Sequence, residues 1–470
     1  MNMGIRIGIG VAVVAVAAGG GYLYATKAAT DHAEKVLADV RSGLPDGAVL
    51  TVDDLKASPF GSATISGFSI TEDGVTLTGG PASFSGSEDR VDTVALSDLA
   101  LKGGDVDFTM DALVLNGMTH PDYGSLTRVL QGKVDSYDEQ VKVLSDLSVD
   151  ELSLSGTKID DMTVLTNDKV VLANLRKGTL GSLTVTNTAF KDHDVDATIG
   201  HMMVADWELA EALAATMNGA TGEELMAVTR HGAFDVADVS VSEDGKQVFT
   251  LKSVKLENPV YVGDQLMGGT FTVDTLSVDP RESLPSRDLE TFREVLGPAA
   301  DRPIEISGRA VSAYDGNTYS VSDLRFEARD LGVFEMSGSV TDYILDEASV
   351  SGVPPYMAQE AVFEAMLNAK PTDTRVHVSH SGWLHEALRR DAGSEEAAEQ
   401  QAMTLGMLVA FGAGTLVGEE GAMALAEGIS GFLTEKTELT FDMKNTKGLT
   451  VNEIMSSGGE SGVTLAVEAR

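Results

Sequence analysis

The densest group of side chains able to do chemistry is HVSHSGWLHE, which carries His377, His380 and His385. Three imidazoles around an ion with an open fourth position would make a zinc-type hydrolytic centre. In a strand, residues 377 and 380 point to opposite faces, so a shared ion requires a turn between them. The plainer reading makes them edge and helix-start histidines, with Trp383 anchoring the helix. A second candidate is DHDVDATIG (192–200), where Asp192, Asp194 and Asp196 sit at the odd positions of a calcium loop. The glycine such a loop requires is Ala197, and the bidentate Glu position is Met203. Alternating Asp on the wet face of a strand accounts better for it. The third is a phrase written twice, FSITEDG (68–74) and VSVSEDG (239–245). It is a duplicated acidic ligand site or a duplicated hairpin turn; Asp-Gly between alternating strands favours the turn. The sequence contains no GxxxxGK[ST], GxSxG or HExxH, so it offers no phosphate loop, nucleophile elbow or zincin helix. These observations point away from an enzyme. They assign no catalytic residue, no cofactor and no metal site beyond the weak candidates His377, His380 and His385.

The elements that would position these residues follow from periodicity. Phrases such as ALVLNG (112–117), ELSLSG (151–156), SLTVTN (182–187) and TLSVDP (275–280) alternate apolar and polar residues and end in Gly, Asn or Pro. Period 2 puts Leu and Val on one face and Ser, Thr and Asp on the other. Many such strands predict a large, twisted, mostly antiparallel sheet with one apolar face and one wet face. Helical spacing appears at 26–44, 206–230, 124–132, 290–297, 354–369, 383–393 and 395–436; LTFDMKN, GLTVNEIM and GVTLAVEAR then read as closing strands. The order helix, GSATISGFSI-like strand entry, Glu-Asp-Gly recurs around residue 240. The expected organisation is therefore an N-terminal segment (1–26), a first α+β module (27–204), a second (205–380), and C-terminal helices with closing strands packed on the sheet (381–470).

Composition narrows the partners. The 470 residues carry a net charge of −38, which argues against the Lys/Arg surface that a nucleic-acid binder or an anionic-lipid grip requires. There is no cysteine, hence no disulfide, thiolate metal site or Cys nucleophile. Residues 7–25 carry no charge, with Tyr22 and Tyr24 at one end and Arg6 at the other. That predicts a single-pass signal anchor in a bacterial inner membrane, N-terminus cytoplasmic and body in the periplasm. A signal peptide cleaved after Ala15-Val16-Ala17 and a buried helix are the alternatives. MTLGMLVAFGAGTLVG (403–418) is uncharged and apolar all round. It reads as a core helix covering the sheet, as a lid over a lipid-sized groove, or as a membrane-dipping hairpin. As a lid, its lipid contacts would be Met403, Leu405, Met407, Leu408, Val409, Phe411 and Leu416.

With an anchor at 5–25, the entry VDDLKASPFGSATISGFSI and recurring ELSLSG-type strands, the chain resembles the AsmA-like and YdgA-like bacterial envelope proteins. The resemblance is one of layout. It implies a curved sheet on the exported side of the inner membrane with an apolar trough that handles lipid, and it brings no catalytic residues. The functional expectation is an anchored envelope protein whose apolar sheet face contacts or carries acyl chains. The alternative is a non-enzymatic scaffold that binds envelope proteins and has a closed core.

Overall fold

The computed structural model describes residues 48–470, apart from 59–61, 73, 88–89, 104–106, 131–133, 135, 161–162, 220–229, 352–354 and 458–461. The expected anchor at 5–25 and the helix at 26–44 lie outside the described residues. Among the described residues no helix is long and apolar enough to cross a membrane. The chain divides into two compact units, Met1–Val236 and Ala237–Arg470.

In the first unit the strands are β1 (Val49–Asp53), β2 (Lys56–Ser58), β3 (Ser62–Ile65), β4 (Gly67–Glu72), β5 (Val75–Gly79) and β6 (Ala82–Ser87). They continue as β7 (Arg90–Lys102), β8 (Asp107–Met118), β9 (Val149–Asp160), β10 (Val164–Arg176), β11 (Thr179–Asp192) and β12 (Val195–Glu208). Helices α1 (Tyr123–Leu130) and α2 (Tyr137–Asp146) lie between β8 and β9, and α3 (Leu209–Met217) follows β12. The short strands are halves of longer ones. β1 pairs with β4 and β2 with β3 in one unbroken register, interrupted at Asp54, whose φ is +46°. The same holds for β3 and β4 against β6 and β5. From β6 onward each strand pairs antiparallel with the next, giving an up-and-down meander.

Register lines up apolar residues across the sheet, because antiparallel partners share a face. One row runs Phe84, Val94, Leu115, Leu152, Leu172, Leu183, Val204. The next runs Ala82, Leu96, Leu113, Leu154, Val170, Val185, Met202. Burial is graded along both rows. Val94, Leu96, Leu113 and Leu115 are buried, whereas Leu152, Leu154, Val170, Leu172, Val185 and Met202 are half-buried.

Strand β13 (Phe234–Glu243) crosses the division between the units. The second unit continues with β14 (Lys246–Val262), β15 (Gln265–Val278), α4 (Pro280–Ser283), α5 (Ser286–Leu296), β16 (Ile304–Tyr314), β17 (Tyr319–Ala328) and β18 (Gly332–Thr341). It ends with α6 (Pro355–Asn368), β19 (Lys370–His380), α7 (Trp383–Ala392), α8 (Glu395–Thr434), β20 (Glu438–Asn445), α9 (Val451–Ser456) and β21 (Val463–Ala469). From β14 to β21 every strand again pairs antiparallel with its successor. The expectation of a β-rich protein built on large antiparallel sheet with several helices is met. GLTVNEIM is not a strand: Thr450 and Glu453 form a reciprocal capping box that starts α9.

The twice-written phrase is a turn. Residues 244–245 join β13 to β14, with Asp244 at φ +51° and Gly245 at φ +74°. Two successive positive φ values make the primed turn that matches strand twist. In the first copy Glu72 pairs with Val75 and Gly74 takes φ +84°.

Candidate lipid-contact face and histidine cluster

In the second unit an apolar row runs Val254, Val273, Gly308, Phe326, Phe334, Val378, Leu439. Phe326 lies over Gly308, where a Cβ would come 2.6 Å from its ring. Phe68 lies over Gly79 in the first unit in the same way. An aromatic ring laid across a strand glycine covers backbone that no side chain of its own protects. Phe326 and Phe334 nonetheless remain 41% and 36% exposed, so the middle of this face is open. The opposite face is polar. Arg325 bridges Glu327 and Glu335, and Arg309 reaches Asp323 at 3.4 Å. The sequence reading passed over Phe326 and Phe334; the alternation in VSDLRFEA and GVFEMSG puts both on the apolar face.

The sequence-predicted lid residues sit on α8, which is two arms. Gly418 breaks the helix at φ 74°, ψ 177°, a backbone region open essentially to glycine alone. The chain then turns back. A Cβ on Gly406 would lie 2.5 Å from the Ala426 carbonyl oxygen, and one on Gly414 would lie 3.8 Å from the Ala422 Cβ. The second arm (419–434) packs on β21 and β20, with Gly428 against Val467 and Leu439. The first arm (395–417) buries only its small-residue stripe: Ala398, Ala402 and Ala410 are buried. Met403, Leu405, Met407, Leu408, Val409, Phe411 and Leu416 are all exposed, Phe411 at 87%. The core-helix reading of 403–418 is therefore corrected. All-round apolarity marks an apolar environment, and the described residues do not supply one here. Met423, which the sequence reading did not single out, is exposed on the second arm.

The histidines separate as strand geometry requires. His377 sits on the polar face and meets the Thr440 hydroxyl at 3.0 Å. His380 and His385 come together, ring centroids 4.6 Å apart. Both direct Nε2 at the Phe432 carbonyl, at 3.1 and 2.9 Å. His385 Nε2 also lies 2.9 Å from the Lys436 carbonyl. The His380 Nδ1 accepts the Gly382 N–H at 2.9 Å, so its proton is on Nε2, which donates to Phe432. Both Nε2 atoms are thus spent as donors on carbonyls at the C-terminal end of α8, where backbone acceptors lack helical partners. Burial holds the His380 imidazole below its usual pKa; the Phe432 carbonyl opposes this, and His385 adds to it. A shared metal at His377, His380 and His385 is not what this arrangement builds. Among the described residues no group of three or more His, Cys, Asp or Glu is placed to hold a metal ion. Asp192 meanwhile accepts from the His193 N–H at 2.8 Å in the β11–β12 turn, where Asp192 pairs with Val195.

The same histidine device occurs in the first unit. His120 Nδ1 accepts the Asp122 N–H at 2.9 Å, and its Nε2 reaches the Val143 carbonyl in the last turn of α2 at 2.9 Å. Tyr123 stands against His120 as Trp383 stands against His380, at 6.1 and 6.4 Å between ring centroids. Both histidines are 7% exposed. The shared signal is His-x-x-aromatic after a strand, THPDY and SHSGW, and the sequence reading did not pair the two.

A family model described as "Uncharacterized protein" matches residues 325–467, which run from the end of β17 to β21 and hold the histidine cluster and both arms of α8. No curated protein matches the chain.

Proposed function

We propose that this is a non-enzymatic protein of the bacterial envelope, anchored in the inner membrane by residues 5–25 with its body in the periplasm. In this reading its apolar sheet face contacts or carries acyl chains. The supporting observation is that each unit carries apolar rows with incomplete cover, half-buried through β9–β12 in the first and open at Phe326 and Phe334 in the second. Ligand sites for apolar molecules are concave and mostly apolar, with few polar groups, and the polar side chains here lie on the other face. The likeness to AsmA-like and YdgA-like proteins points the same way. The recurrence of the strand entry and its Glu-Asp-Gly turn at 68–74 and 239–245 supports an origin of the modules by tandem duplication; His120 and His380 do not share that spacing. Burial of the rows under β7 and β8 favours a second reading in part, a scaffold with a closed core that binds envelope proteins at its edges.

The test is lipid mass spectrometry on the full chain purified in a neutral detergent, beside the Phe326→Ser/Phe334→Ser variant. Both phenylalanines are only partly covered, and circular dichroism of the variant checks that it keeps its sheet. Stoichiometric, selective lipid on the native chain and its loss from the variant would support the reading. A lipid-free native chain, or equal lipid on both, would end it in favour of the scaffold.

A further inference from the structure

The first arm of α8 presents Met403, Met407, Leu408 and Phe411 on one side, at 53%, 68%, 66% and 87% exposure. That spacing makes a single face of a helix. The opposite side, Ala398, Ala402, Gly406 and Ala410, is consumed by contact with the second arm. Leu405 and Val409 are exposed on the flanks, so from Leu405 to Phe411 every side of the arm except that stripe is apolar and uncovered. A helix that is apolar all round needs an apolar medium rather than one flat contact.

Charge selects the medium. From Asp391 to Glu435 the sequence contains no Lys, Arg or His, while Glu395, Glu396 and Glu399 stand at the base of the hairpin and Glu419 and Glu420 at its turn. A second copy laid against the arm would bring acid to acid in either direction, because both ends are acidic. An anionic membrane surface would be repelled by the hairpin and by the −38 net charge. A neutral bilayer carries neither cost. The chain also holds an uncharged stretch at 7–25, outside the described residues, of the composition that seeks a membrane.

We propose that the α8 hairpin lies in the plane of a neutral phospholipid bilayer, with the outer side of its first arm sunk among the acyl chains. It does not span. Met403 to Leu416 rises only about 20 Å, against a hydrocarbon core of roughly 30 Å. Glu419 and Glu420 at the turn stay at headgroup level. The inference stands on the hairpin alone and holds whether or not the sheet carries lipid.

The absence of cysteine makes a position-specific test available. Phe411→Cys in the full chain is labelled with an environment-sensitive fluorophore, and Asp194→Cys, in the β11–β12 turn, serves as the control. Vesicles of phosphatidylcholine and phosphatidylethanolamine are added. The 411 label should shift to the blue and be quenched by lipids brominated high on the acyl chain, consistent with a depth of roughly 5–10 Å. The 194 label should do neither, whatever residues 5–25 contribute to vesicle binding. Equal, weak quenching at both positions overturns the proposal. A blue shift without vesicles that grows with protein concentration also overturns it, in favour of a second copy. Met407→Cys repeats the measurement one turn away.

Discussion

Replacing His380 with Ala should cost the second unit far more than replacing His377, three residues earlier on the same strand. The His380 ring makes two backbone hydrogen bonds, one from the Gly382 N–H and one to the Phe432 carbonyl. Losing the second costs about 1 kcal/mol, moderated because His385 still serves that carbonyl. Losing the first strands a part-buried N–H, for about 1–3 kcal/mol. The ring also packs edge-on to Phe432 at 4.7 Å and Trp383 at 6.4 Å, and removing those contacts adds about 1 kcal/mol. The total is roughly 3–5 kcal/mol. His377 makes one bond to a hydroxyl on the polar face, so His377→Ala should stay within about 0.5 kcal/mol. Two compact units make one global unfolding transition unsafe as a readout. The chain has only two tryptophans, and the Trp207→Phe background leaves Trp383, beside His380, as a local reporter of urea unfolding. Equal midpoints for His380→Ala and His377→Ala would show that the buried histidine does not hold the end of α8.

Because His380 is held below its usual pKa, the folded unit binds fewer protons than the unfolded chain just below the unfolded value of about 6.5. Its stabilising effect is complete above that value and declines as pH falls through it towards the lowered folded pKa. The Trp383 transition should therefore drop between pH 7.5 and 5.5 by more in the native chain than in His380→Ala, and parallel drops would refute this. Gly245→Ala should destabilise the β13–β14 hairpin by about 1–2 kcal/mol, purely through its +74° φ, since nothing lies within 4 Å of a Cβ there. Amide exchange along β14 should rise accordingly, and unchanged exchange would count against the primed turn. Gly428→Leu should lift the second arm of α8 off β21, because its Cβ alone would lie 2.4 Å from Val467. A cost of roughly 1–3 kcal/mol is expected, while Gly412→Leu, with open space around it, should cost little. Equal protection of β21 amides in both variants would refute the packing.

The strands were legible because period 2 survives along nearly all of them, and register then converts alternation into rows without further information. The turns at 74 and 245 were legible because glycine at positive φ has few substitutes. The segment 403–418 was legible as a helix but not as an exposed one. Hydrophobicity states which medium a helix prefers, not whether the rest of the chain provides it. Gly418 looks like any helical glycine until its φ and ψ are known. GLTVNEIM misled because Leu449 and Val451 alternate like a strand while Thr450 and Glu453 cap a helix, and in six residues the cap decides. The histidine cluster was legible as edge and helix-start residues, but its partners were not. Spacing shows that His380 and His385 can meet; the acceptor they meet over, a backbone carbonyl 47 residues beyond His385, has no sequence signal.

The paired histidine devices explain how such an exposed helix is tolerated. Each histidine closes an excursion from the sheet, holding the helix that returns to the next strand. His120 ties the end of β8 to α2, and the backbone bonds between Thr119 and Ser148 shut the base before β9. His380 ties the end of β19 to α8, and its own N–H reaches the Thr437 carbonyl before β20. With the base closed, the strands keep their register whatever the excursion contains, because lengthening a closed loop costs only a slowly growing entropy. The first excursion holds two short helices, and the second holds α7 and a hairpin with its apolar side outward. The sheet thus carries the stability, and the excursion between β19 and β20 is free to be shaped for contact with something else.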